Sequence, residues 1–287
     1  MLYSATSVFM PELSLVEQAK ILSKYGYDGI ELRVRYCSDE ARKAAVPSNW
    51  GYHVNDIDPA NFKKKAPEVR KVLKDYNLKL AGIAANVACT DLEQFKLLLE
   101  GAVKAKAPWI RLGASQGFGP DSNYYAILGT TIEGFAKCLE LSHGTGVKLI
   151  VEMHGNTIHP SASLAMRIVE HFSPEDVGVN YDPQNMVKDG YETPELAFQI
   201  LGPYLAHCHF GSWKPVFDKI DENGTALWKW QQTKMGEGFF DYPRVMKLLK
   251  KYAYKGFISV EDFNPSRTVD DKLKDSIKYL RKIEALA

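Results

Sequence analysis

Eight times along this chain a short apolar, β-branched run gives way to a stretch with helical spacing, and no other feature restricts the fold as much. The runs occupy residues 2–9, 27–34, 79–86, 109–114, 148–152, 177–182, 205–209 and 256–261. Their length and composition suit buried strands, and each ends in a polar or glycine-rich break. Between them, Ser14 and Gly26 bracket a helix over 15–25. A basic helix covers about 61–76, and Asp91 can cap one running to about 106. Further helices fall at about 124–143 and 161–172, after Thr193-Pro194, from Pro243 to about 252, and over 269–285. Strand and helix alternating eightfold over roughly 250 residues predict a closed (β/α)8 TIM barrel, an α/β fold, with residues 1–287 as a single domain. An open doubly wound sheet is the rival. No glycine-rich dinucleotide fingerprint follows the first strand, which disfavours it.

Two long connections interrupt the alternation, at 35–60 and 212–240. Loops of this length inside a compact domain are often functional. The first holds Pro47, Trp50, His53 and Pro59, and the second Trp213, Trp228, Trp230 and Gly236-Glu237-Gly238.

Composition excludes several classes. Thirty-six Lys and Arg against 35 Asp and Glu leave a net charge of +1, without the basic excess of a general nucleic-acid binder. Cys37, Cys89, Cys138 and Cys208 show no zinc or redox spacing and read as free buried thiols. The first ten residues lack a secretory pattern, and no apolar stretch reaches the roughly 20 residues of a membrane span. The expectation is a cytoplasmic protein with no membrane and no nucleic-acid partner.

Chemistry gathers where the later strands end. Lys148-Leu149-Ile150-Val151 leads into Glu152, and Val177-Gly178-Val179-Asn180-Tyr181 into Asp182. Leu205-Ala206-His207-Cys208 leads into His209, and Gly256-Phe257-Ile258-Ser259-Val260 into Glu261. In such barrels the functional end is the carboxyl end of the strands, so the fifth to eighth strands can aim all four side chains at the axis. Each alone is an ordinary loop-start acid or cap. Three carboxylates and an imidazole together would repel and be costly to bury unless a cation joins them. Oxygen-rich ligation with one His favours Mn²⁺, and Mg²⁺, Co²⁺ or Zn²⁺ also suit it. His207, two residues deeper than His209, reads as a buried structural histidine and is the main rival for the ligand position. His154 shares the face of Glu152 and either contacts substrate, orients a ligand or packs. His53 reads as surface.

The segments Val151-Glu152-Met153-His154-Gly155, Asn180-Tyr181-Asp182-Pro183-Gln184-Asn185, His207-Cys208-His209 and Ser259-Val260-Glu261 resemble those of the xylose-isomerase-like barrel superfamily, specifically its sugar phosphate isomerase/epimerase group. Gly26-Tyr27-Asp28-Gly29-Ile30-Glu31-Leu32 and Gly236-Glu237-Gly238 with Asp241 fit as well. The resemblance implies Glu152, Asp182, His209 and Glu261 as metal ligands, with Glu152 and Glu261 doubling as an acid–base pair. It departs at Asn185, where ketose epimerases of the group carry a substrate-binding His.

What the resemblance implies is a metal-dependent isomerase or epimerase that moves a proton beside the carbonyl of a keto-sugar, polyol-derived ketone or similar small carbohydrate. A dehydratase or keto-glycoside lyase working by β-elimination is the first alternative. A phosphodiesterase like endonuclease IV and a non-catalytic sugar-binding barrel rank lower. Glu31, Arg111 and Lys214 sit at or just past strand ends and can bind hydroxyls, or else form ion pairs or exposed surface. Trp213 can wall the sugar ring, and His154 and Asn185 complete the expected substrate contacts. No phosphate-binding glycine loop follows the last two strands, which favours an unphosphorylated substrate. Homo-oligomers are common in the group and compatible with the chain.

Overall fold

The computed structural model describes residues 1–287. Its elements in chain order are β1 (Leu2–Thr6), α1 (Leu15–Tyr25), β2 (Gly29–Arg33), α2 (Asp39–Ala44), α3 (Pro59–Asp75), β3 (Lys79–Ala84), α4 (Leu92–Ala105), β4 (Trp109–Leu112) and α5 (Tyr124–Ser142). There follow β5 (Lys148–Glu152), α6 (Ala162–Val169), β6 (Val177–Tyr181), α7 (Pro183–Asp189), α8 (Pro194–Leu201), β7 (Leu205–Phe210), β8 (Trp213–Ile220), β9 (Ala226–Gln232), α9 (Tyr242–Lys251), β10 (Phe257–Val260) and α10 (Val269–Leu286).

Eight strands close into one parallel barrel in the order β1-β10-β7-β6-β5-β4-β3-β2. The fold is therefore a (β/α)8 TIM barrel in a single domain. Local signals placed most helices well. Ser14 and Glu17 form a reciprocal capping box at α1, Asp91 caps α4, and prolines begin α3 and α8. Expected strands ran long: β1 stops at Thr6, and Ser7–Phe9 turns into a 3-10 helix. Alternating burial continues past the last ladder bond, so periodicity alone does not mark a strand's end.

Apolar residues from the strands and the surrounding helices form one continuous core that includes Ile30, Phe62, Phe135, Leu149, Val151, Val179, Phe210 and Leu280. The barrel interior beneath the carboxyl ends is polar by contrast. Ser4 and Ser259 share a 2.5 Å hydrogen bond, Ser259 lies 3.1 Å from His207 Nε2, and Trp109 packs on the His207 ring at 4.6 Å. These groups are buried and satisfy one another, as polar groups removed from water must. All four cysteines are free and buried.

The two long connections both have structure. Within 35–60, α2 is a short helix, and Arg42 pairs with Asp56 at 2.7 Å and with Asp58. Arg33 Nη2 donates to the Gly51 carbonyl at 2.7 Å, which ties this segment across the barrel mouth. His53, expected on the surface, is 1% exposed and bonded to the Asn49 carbonyl. The second connection is an antiparallel hairpin of β8 and β9. Asp221 accepts from the Asn223 and Thr225 amides at its tip, and Gly224 takes φ +81°, which an L side chain resists. No helix is long and apolar enough to cross a membrane.

Candidate metal centre and active-site cavity

Strands β5, β6, β7 and β10 are successive neighbours in the barrel, and their carboxyl ends bring Glu152, Asp182, His209 and Glu261 together. One donor atom from each lies within 4.8 Å of all the others, and all four residues are buried. His209 Nδ1 is the hub. It lies 2.7 Å from Glu152 Oε1, 3.6 Å from Glu261 Oε2 and 3.7 Å from Asp182 Oδ2.

The other ring nitrogen explains Glu31. His209 Nε2 lies 2.8 Å from Glu31 Oε2, and His207 Nε2 lies 3.0 Å from the same oxygen. A carboxylate on the far nitrogen fixes the ring's orientation and leaves Nδ1 facing the cluster. Glu31 is fully buried and does not line the cavity, so the substrate contact expected of it is not made. It orients His209 instead. His207 is a satisfied interior histidine held by Glu31 and Ser259. Glu31, His207 and His209 form a second compact donor group, but with His209 turned toward both sets, the four-residue cluster at the strand ends is the one open to the cavity.

The remaining carboxylates have their own partners. Arg111, from β4, forms an ion pair with Glu152 while its Nε donates to the Ala85 carbonyl at 2.8 Å. Gln184, in the first turn of α7, donates to Glu261 Oε2 at 2.6 Å. Asp182 caps α7 by accepting from the Asn185 amide at 3.0 Å, and the Asn185 side chain donates to its Oδ2 at 2.7 Å. Gly211 makes the Gln184 contact feasible, because a Cβ there would collide with the Gln184 amide and the Glu261 carbonyl.

The cluster's electrostatics call for positive charge. Burial pushes Asp182 up to about 6, helped by Glu261 and Glu152 although the His209 hydrogen bond opposes the rise. Burial disfavours the charged His209 ring, yet Glu31, Glu261 and Glu152 outweigh it and hold the ring's proton affinity well above the usual histidine range. Burial alone would raise Glu152, but Arg111 and His209 keep it well below the ordinary carboxylate range. Three carboxylates converging on one imidazole nitrogen in a buried site match a hard divalent cation. The residues present therefore fit such an ion.

Above the cluster opens a cavity of about 680 Å³ lined by Arg111, Glu152, His154, Gln184, Asn185 and Glu261 on the barrel side. Trp213, Trp230, Gln231 and Gln232 of the hairpin form one wall. Arg35, Asn49 and Trp50 from the first connection, with Phe263 and Asn264 after β10, form another. Trp50 and Phe263 rings stand 4.8 Å apart over this side. Lys214 does not line the cavity. It follows Trp213 on β8, and side chains alternate along a strand, so only one of the pair can face inward. Lys188 lines the cavity in its place, with Nζ 4.4 Å from the Trp213 ring.

Sequence reasoning missed Gln184, Arg35, Trp50 and Lys188 as site residues. Gln184 stood in a quoted motif beside Asp182, and Trp50 in a long loop of the kind that often covers a site. Nothing local marked Arg35 or Lys188.

A closed parallel barrel with three carboxylates and a histidine gathered at its carboxyl end is a (β/α)8 barrel with a candidate metal site. The chain belongs to the xylose isomerase-like TIM barrel family, whose model matches residues 19–283. It is 22% identical to the inosose dehydratase of Geobacillus kaustophilus over 231 residues, 70% of this chain and 72% of that protein. Its fold is similar to that of a 3-keto-D-glucoside 4-epimerase from E. coli, with TM-score 0.72, 14% identity and coverage of 98% and 100% of the two chains. It is likewise similar to the IOLI protein, solved with a zinc atom, with TM-score 0.73, 16% identity and coverage of 100% and 99%.

Proposed function

We propose that this barrel is a divalent-metal-dependent isomerase or epimerase that moves a proton at the carbon beside a carbonyl of a small carbohydrate. The observation that carries this reading is the placement of Glu152 and Glu261. Both reach one buried donor cluster, but from strands three positions apart around the rim, and each is held from outside by its own donor, Arg111 or Gln184.

Glu152, Asp182, His209 and Glu261 would hold the cation. When bound, it supplies Lewis-acid polarisation of a substrate carbonyl and neutralises charge that develops at the adjacent carbon. Manganese is favoured by the oxygen-rich donor set, with magnesium, cobalt and zinc as further fits. The chain's own residues do the proton work. One glutamate takes the proton from the carbon and becomes a carboxylic acid. For epimerisation the other enters the turnover as a carboxylic acid, delivers its proton to the opposite face and is left ionised, and exchange with water restores the pair. For isomerisation the proton taken up is returned to the neighbouring carbon. Arg111 keeps Glu152 ionised between turnovers, and Gln184 holds the rotamer of Glu261. Trp213, Trp230, Trp50 and Phe263 offer apolar faces over a sugar ring and limit water near the cluster.

β-Elimination is the second reading, favoured by the similarity to an inosose dehydratase and by Asn185, which binds Asp182 in place of an expected substrate histidine. Proton abstraction is shared; elimination then expels a hydroxyl. A screen of keto-sugars, inososes and hydroxypyruvate with Mn²⁺ in heavy water tests both readings. Deuterium at the carbon beside the carbonyl, lost in Glu152→Gln and Glu261→Gln, is the expected result. An unsaturated product would move the assignment to a dehydratase. Full exchange in both variants would end the glutamate mechanism.

A further inference from the structure

Three arginines meet where β2, the 35–60 connection and β4 come together, and only two are engaged. Arg33 is tied to the Gly51 carbonyl, and Arg111 to Glu152 and the Ala85 carbonyl. Arg35 is 9% exposed, lines the cavity, and its guanidinium donates to no protein acceptor; its buried Nε is unpartnered. The Trp50 ring lies 5.3 Å from its guanidinium carbon. An arginine cannot shed its charge to relieve burial, so a buried unpaired guanidinium facing a cavity calls for an anion. Through space, Arg111 and Arg33 repel it more strongly than Glu152 and Glu261 attract it.

We propose, resting on the proton-transfer reading above, that Arg35 binds a carboxylate carried by the substrate away from the reacting carbon, so that the substrate class is a keto-sugar acid or comparable carboxylated keto-polyol. A planar guanidinium fork matches a carboxylate bidentately, and one fork meets one such group. A phosphate dianion is ordinarily held by several cations or amides. Of the other cations lining the cavity, Arg111 is paired with Glu152 and Lys188 is seated on Trp213. Trp50 over Arg35 shields the pair from water and strengthens it.

The test is binding rather than turnover, so it can fail while proton exchange succeeds, and the reverse. Mn²⁺-loaded wild type, R35Q and R35K are titrated calorimetrically with D-glucuronate, D-glucose and D-glucose 6-phosphate, after thermal unfolding confirms each variant is folded. Wild type is expected to bind glucuronate at least roughly tenfold more tightly than glucose, since a charge-assisted pair is at stake. R35Q should remove that preference for glucuronate over glucose, and R35K should restore part of it. Tighter binding of glucose 6-phosphate than of glucuronate, with the same dependence on Arg35, would overturn the carboxylate assignment in favour of a phosphate. Equal affinity for charged and neutral probes, or no binding of any of them, would overturn the inference even without a usable variant.

Discussion

The Gln184 side chain donates a 2.6 Å hydrogen bond to Glu261 Oε2, and the loop after β7 is glycine at residue 211 where that amide passes. The oxygen it engages is the one that lies 3.6 Å from His209 Nδ1, so the contact fixes the cluster-facing oxygen of Glu261. Gln184 thus positions Glu261.

Gln184→Leu should therefore lower kcat by roughly ten- to 100-fold, the range seen when an outer partner of a metal-site carboxylate is lost. Gln184→Glu should do at least as much harm, because it sets a second carboxylate against the first. Steady-state kinetics check the first claim, and the metal-titration midpoint of each variant checks the second. A wild-type kcat in Gln184→Leu would show that Glu261 holds its rotamer unaided.

Metal binding should stabilise the fold. At free Mn²⁺ near 100 times its dissociation constant, linkage gives about 2.7 kcal/mol. For a chain of 287 residues this corresponds to a rise of roughly 5–10 °C in Tm. Asp182→Asn removes one ligand and relieves charge crowding, so its metal-free form should melt at or above wild type while its Mn²⁺ shift shrinks. Calorimetric scans with and without EDTA measure both.

His53 sets an acid limit. Burial, with Arg33 nearby, depresses its ring from 6.5 to about 3. The native state therefore keeps His53 neutral where the unfolded chain takes up a proton. Stability from this group is full above pH 6.5 and falls as pH drops toward 3, by up to about 1.4 kcal/mol per pH unit. His53→Gln should flatten that part of the curve in urea-unfolding series between those limits. An unchanged slope would locate the acid sensitivity elsewhere, His159 being next, since burial pushes it down to about 4.

Lys188 and Lys214 should separate cleanly. Lys188→Ala opens the cavity wall and frees Trp213, so KM should rise severalfold with little change in kcat. Lys214→Ala, outside the cavity, should leave both constants alone. A larger effect from Lys214 than from Lys188 would contradict the inward orientation of Trp213.

Much of this architecture was legible in the chain. Helix α1 was read with its bounds, because Ser14, Glu17 and Gly26 are local signals that act through their own backbone. The four strand-end residues were legible because each follows a run that can only be a buried strand. Glu31 was read for the wrong contact, since its position at a strand end does not say whether its side chain meets substrate or a histidine more than 170 residues away. Lys214 was misplaced for a different reason: the segment was read only as a long insertion, and only a hairpin's alternation separates it from Trp213.

The sequence by itself determined the repeating strand–helix plan and the strand-end positions of Glu152, Asp182, His209 and Glu261, because periodicity and capping are written in neighbouring residues. Tertiary structure decided the rest. Barrel closure set β5, β6, β7 and β10 side by side, turned His209 between Glu31 and the carboxylates, and left Arg35 buried beneath Trp50 without a partner. Those relationships depend on distances between residues far apart in the chain, and burial then fixes which charges must find one another.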